Sequence, residues 1–68
     1  MIEFKLKSDY IELIRLLKTV GISETGGHAK LMVEDGIVHV NGKKESRKRA
    51  KLRRGDIVEV MGQEIKIL

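Results

Sequence analysis

Three groups of residues in this chain have types and spacings that could do chemistry. The first is Gly26-Gly27, which follows Thr25 and is followed by Lys30. Two glycines in a helix's first turn forfeit about 0.5–1 kcal/mol each relative to alanine, so a compensating use is expected. With Thr25 as the N-cap, the bare Gly26 and Gly27 amides would let a phosphate approach the positive end of the helix dipole. Lys30 would add a charge one turn further on. The structural alternative is that the pair lets the helices or the preceding loop pack closely.

The second group is the run from Lys43 to Arg54, which holds eight Lys or Arg residues against the single Glu45. Its local charge of +7, within a chain of net +4, leaves the other residues at −3. Self-repulsion of this kind does not stabilise a fold, so the cluster reads as a footprint for a polyanion. Solubility, anionic lipid or an acidic protein are the other uses of such a segment. Ala50 and Leu52 interrupt the charges at a spacing of two, which predicts an extended, anchored segment. Anchoring would present Lys43, Lys44, Arg47, Lys48, Arg49 and Lys51 as a fixed array suited to the phosphates of a folded nucleic acid.

The third group is His28 and His39, eleven residues apart with no further ligand spacing, which reads as surface histidine and not as a metal site. Catalysis has no support: the chain has no Cys, no phosphate-loop motif and no clustered carboxylates. No enzyme, cofactor or small-molecule substrate is expected. Phe4 and Tyr10 are the only aromatic residues, and both fall where a core would claim them. A base-stacking platform is therefore not expected, and recognition by shape and backbone is favoured. DNA readout would need a helix rich in Arg, Asn or Gln, where the second helix offers only Lys30 and His28. DNA binding and docking on an acidic protein remain the rival readings.

The elements that must position these groups are marked by glycines and by changes of hydrophobic period. Ile2, Phe4 and Leu6 alternate with charged residues and predict a strand, expected at a sheet edge. Tyr10, Leu13, Ile14 and Leu17 fall at helical spacing. Asp9 with Glu12 three residues later resembles a capping box, Ser8 is an alternative cap, and Gly21 would end the helix. A second helix is predicted from within Ser23 to Gly27 to about Asp35, with Ala29, Met32 and Val33 facing the core and Gly36 as its stop. Ile37–Val40 reads as a strand closed by the hairpin signal Asn41-Gly42. Ile57–Met61 and Glu64–Leu68 read as a terminal hairpin separated by Gly62-Gln63. The expected architecture is α+β, two short helices packed on a small, mostly antiparallel sheet, with the first and last strands as candidates for pairing.

At 68 residues the chain is expected to be one domain, burying about 60% of the surface its unfolded chain exposes. Without Cys it has no disulfide or thiolate metal staple and must stand on packing. No apolar run has a spanning length of about 20 residues, and the N-terminal residues lack the order of a secretion signal. A cytoplasmic monomer with no membrane contact is expected.

The stretch Thr25-Gly26-Gly27-His28-Ala29-Lys30 through Gly36-Ile37-Val38-His39-Val40-Asn41-Gly42, followed by Gly55-Asp56-Ile57-Val58, resembles the ribosomal-protein S-four domain, or alpha-L RNA-binding motif. Leu16-Leu17-Lys18, Gly21-Ile22 and Glu45-Ser46-Arg47-Lys48-Arg49 resemble more narrowly the stand-alone bacterial YbcJ/YaaA-like group. The resemblance covers about residues 8–61. It implies a non-catalytic domain that binds structured RNA, usually ribosomal or transfer RNA, with the ribosome as a candidate partner. It also implies an RNA face lined by Lys18, Gly26, Gly27, Lys30 and the basic residues after the Asn41-Gly42 turn. Gly26 stands where the general family commonly has Arg, so that side-chain contact is absent and backbone amides would have to replace it. His28 stands where Glu or Gln is usual in the narrower group.

Overall fold

The structure, a computed structural model, describes residues 1–68. Its elements in chain order are β1 (Ile2–Phe4), β2 (Ile11–Glu12), α1 (Leu13–Thr19), α2 (Gly26–Glu34), β3 (Val38–Val40), β4 (Lys43–Lys44), β5 (Lys51–Leu52), β6 (Ile57–Val60) and β7 (Gln63–Ile67). Five strands form one sheet in the order β1-β7-β6-β3-β4, and β2 pairs with β5 in a separate two-stranded ribbon. Only the β1–β7 pairing is parallel. The first and last strands are thus neighbours, and β1 is an edge.

Strand alternation sorts the sheet into two faces. Val40, Val58, Ile65 and Ile2 lie in one row across four strands. They join Leu13, Leu16 and Leu17 of α1 and Ala29, Met32 and Val33 of α2 in a single core, with Ile2 and Val40 at its margin. On the opposite face Lys44, His39, Glu59 and Glu64 form a row, and Ile57, Lys66 and Glu3 form the next. Both helices therefore cover one face of a mostly antiparallel sheet, the α+β arrangement anticipated from the periodicities.

Two local expectations are corrected. The first helix begins four residues after Asp9, and its N-cap is Glu12, which makes no side-chain capping bond. The capping box fails because the backbone supplies the caps: Leu13 and Ile14 donate their N–H groups to the carbonyls of Ala50 (2.9 Å) and Lys48 (3.3 Å). With Tyr10 outside the helix, the buried α1 stripe is Leu13, Leu16 and Leu17, and Tyr10 is an exposed residue instead of a core one. The second correction is the terminal hairpin. Its turn is Met61-Gly62, both at positive φ, and Gln63 already pairs with Val60 inside the ladder.

The other turns form as the glycines indicate. Asn41 (φ 52°) and Gly42 (φ 84°) both take the left-handed conformation that a two-residue hairpin demands, joining β3 to β4. Asn41 also has a tertiary role. Its side chain donates to Asp56 Oδ1 at 3.0 Å and accepts the Ile57 N–H at 2.9 Å, tying this hairpin to the start of β6.

Candidate nucleic-acid interface

The basic segment is neither a free arm nor a simple strand. Ala50 and Leu52 are buried, as their spacing predicts, and β5 sets Leu52 opposite Ile11 and Lys51 opposite Glu12. At its start the Glu45 N–H bonds to the Val38 carbonyl at 3.0 Å. In its middle, the carbonyls of Lys48 and Ala50 receive the first N–H groups of α1. Those N–H groups have no partner within their own helix, so the segment and the helix satisfy each other. The backbone of residues 45–52 is consequently held between β3 and α1.

Two ion pairs fix side chains along this segment. Arg47 forks onto Glu45, with Nε to Oε2 at 3.0 Å and Nη2 to Oε1 at 3.1 Å, while its own N–H also reaches Oε2 at 2.9 Å. This guanidinium holds the Glu45 carboxyl below the usual carboxylate range, and Glu45 in turn raises Arg47. Lys48 Nζ lies 2.7 Å from Glu34 Oε2 on the last turn of α2. That hydrogen bond, then the Lys48 charge, lowers the Glu34 carboxyl, with Lys30 adding a smaller effect. Lys30 and Glu34 are four residues apart and share a helix face with Gly26. Gly26, Lys30, Glu34 and Lys48 thus form a continuous line from the start of α2 to the basic segment.

At the head of that line, Thr25 caps α2 by accepting the His28 N–H at 3.0 Å. The Gly26 and Gly27 N–H groups donate to nothing within the molecule, and the first turn carries no acidic residue. A Cβ at Gly26 would meet nothing within 4 Å, and one at Gly27 only Thr25 Oγ1 at 3.8 Å. Neither glycine is at positive φ. Close packing therefore does not account for the pair, and what glycine leaves here is open access to two backbone donors.

Of the other residues singled out in the sequence, Lys43 and Lys44 form β4 and are exposed. Part of the Lys44 stem lies against Gly36, whose added Cβ would come within 3.1 Å of Lys44 Cδ. Arg49 is exposed and unpaired. Lys51 places Nζ 4.9 Å from the centroid of the Tyr10 ring. Lys18 is exposed in the last turn of α1, outside the line traced from Gly26 to Lys48. His28 is exposed, and His39 sits in the row of the sheet's outer face beside Glu59. No three His, Cys, Asp or Glu residues are grouped to hold a metal ion, and no helix is long and apolar enough to cross a membrane. Sequence reasoning missed Tyr10 as a surface aromatic. No local signal gives this, because it is the pairing of Ile11-Glu12 with the distant Lys51-Leu52 that takes Tyr10 out of the helical period.

Comparison with known proteins gives this geometry a family. The S4 domain family matches residues 4–68. YbcJ of Escherichia coli (strain K12) is 39% identical over 62 residues, covering 91% of this chain and 89% of that protein, and YbcJ of Shigella flexneri matches with the same figures. The solution structure of Escherichia coli YbcJ, described as revealing an alpha-L motif involved in RNA binding, superposes with a TM-score of 0.77 at 39% identity, covering all of this chain and 87% of that one. Ribosomal protein S4e of Thermoplasma acidophilum shares the fold at a TM-score of 0.70 and 22% identity, over 85% of this chain and 31% of that one. With its two helices on one face of a mostly antiparallel sheet, its Thr25-capped second helix and its matched span of residues 4–68, this chain belongs to the S4 domain family.

Proposed function

We propose that this protein is a non-catalytic RNA-binding module of the cytoplasm that grips structured RNA, ribosomal or transfer RNA, as a monomer. The observation that carries the reading is the pinned basic segment. Its backbone caps α1 and its Lys48 reaches α2, so its cations are presented from a rigid frame. Lys30, Lys43, Lys44, Arg49 and Lys51 have no carboxylate partner and are free to meet phosphates. The mechanism is electrostatic capture by residues 43–54, followed by registration of one phosphate on the open Gly26 and Gly27 amides. The alpha-L motif of the related Escherichia coli protein, described as involved in RNA binding, supports the same assignment. Across the outer sheet face the row runs from Lys44 through His39 to Glu59 and Glu64, so its cation lies at the β4 edge beside the basic segment and its carboxylates lie further from it.

The test is recovery of crosslinked nucleic acid from cells expressing the tagged protein, with RNase and DNase treatments in parallel. Ribosomal or transfer RNA removed by RNase alone is the expected result. Material removed by DNase, or a protein complex surviving both nucleases, would overturn it.

A further inference from the structure

Tyr10 is the chain's single tyrosine, and there is no tryptophan. Its neighbour Ile11 is buried, yet Tyr10 keeps 39% of its surface exposed. The β2–β5 register explains its surroundings. Glu12 lies opposite Lys51, and residues two apart along an extended chain share a side, so Tyr10 meets the Lys51 ammonium 4.9 Å from its ring centroid. The Ser8 hydroxyl donates to the Tyr10 carbonyl at 3.0 Å and steadies the backbone there. The ring lines an open groove of about 770 Å³ that also includes Phe4, Lys7, Ile11 and Arg15. That volume is within the roughly 300–1,000 Å³ typical of small-ligand sites. Lys7 and Arg15 are exposed and unpaired, while Lys51 belongs to the basic segment itself. An accessible aromatic ring, an apolar floor, the four cations Lys5, Lys7, Arg15 and Lys51 and the one carboxylate Glu12 therefore adjoin the phosphate-binding track.

We propose that the Tyr10 groove is a nucleobase subsite, which takes one unpaired base extruded from an RNA whose backbone runs along the basic segment. The base stacks on the phenol ring, and Lys7 and Arg15 face its phosphate. This inference rests on the RNA-binding reading and adds a preference to it: a helical RNA interrupted by a bulged nucleotide binds better than an uninterrupted one. Stacking of a base on an aromatic side chain is sequence-tolerant and strengthens binding by roughly 5- to 150-fold.

The experiment compares two RNA hairpins, identical except for one single-nucleotide bulge, by affinity and by tyrosine fluorescence. Because Tyr10 is the only tyrosine, quenching reports on this ring in the unaltered protein. The expected result is binding of both hairpins, tighter binding of the bulged one within that range, and quenching by the bulged hairpin only. Tyr10→Ala should bind the plain hairpin as before and lose the preference, and Tyr10→Phe should keep it. Binding of both hairpins with equal affinity and no quenching would remove the subsite while leaving the RNA-binding reading intact. Binding of neither would remove both.

Discussion

Lys48 stands 2.7 Å from Glu34, and this pair joins the middle of the basic segment to the last turn of α2. The contact orients the segment but also occupies one of its cations. Glu34→Gln should therefore free Lys48 for phosphate, raising affinity for hairpin RNA a few-fold and steepening the slope of log affinity against log salt by up to about 1. Lower affinity would mean that Glu34 is needed to place Lys48.

Charge removal should act oppositely. If about five phosphates are engaged, the salt slope for the unaltered protein should be on the order of −3.5 to −4.5. Replacing Arg47, Lys48 and Arg49 together by Ala should weaken binding at low salt and flatten that slope by about 1, the share of Arg49, since Glu45 and Glu34 hold the other two, measured by fluorescence anisotropy across a salt series. The backbone caps on α1 come from carbonyls that these substitutions leave in place, so the fold should persist. Unchanged binding would remove the segment from the interface.

The start of α2 sets stability against function. Gly26→Ala places a methyl group in open space and Gly27→Ala one in ordinary contact with Thr25 Oγ1, both at helical positions, and each should stabilise the fold by about 0.5–1 kcal/mol. Gly27→Leu, which covers the free amides, should weaken RNA binding. Thermal melts and binding curves on the same variants separate the two effects, and a Gly27→Leu protein of unaltered affinity would show that no phosphate sits there.

Acid should loosen the segment before it unfolds the core. The Glu34 and Glu45 carboxyls are both lowered from about 4.5 by Lys48 and Arg47, respectively. A lowered carboxyl binds protons less readily in the folded state, so its stabilising contribution is complete above the unfolded value and lost as pH falls through the folded one. The melting temperature should hold between pH 7 and pH 5 and drop below about pH 4.5, with a shallower drop in a Glu34→Gln, Glu45→Gln double variant. An identical acid response in that variant would show that the two pairs contribute nothing measurable.

Asn41→Ala removes the side-chain clamp on Asp56 and Ile57, a loss of about 1–2 kcal/mol. In a domain of this size that lowers the melting temperature by about 5–15 °C. RNA affinity measured well below the transition should change by less than about two-fold, since the Asn41 side chain bonds only Asp56 and the Ile57 N–H and no cationic side chain.

Much of this architecture was legible in residue order. The stripe Ala29, Met32 and Val33, the Thr25 cap, the left-handed Asn41-Gly42 turn and the buried Ala50 and Leu52 follow from periodicity and turn chemistry. What was not legible depends on partners distant in sequence. Asp9 and Glu12 look like a capping box, but α1 takes its caps from Lys48 and Ala50, more than thirty residues away. Tyr10 fits the helical stripe until the pairing of β2 with β5 turns it to the surface. The candidate site was found as a charge cluster and a glycine pair. Its continuity through Lys30, Glu34 and Lys48 required the packing of the segment against α2.

The most direct test of the central claim is a backbone amide NMR titration of the intact protein with a hairpin RNA. The largest shifts should fall on Gly26, Gly27, Lys30, Lys48, Arg49 and Lys51, while Glu3, Glu59 and Glu64 stay still. Shifts concentrated on those three glutamates, or none at RNA concentrations that saturate other small RNA-binding domains, would overturn it.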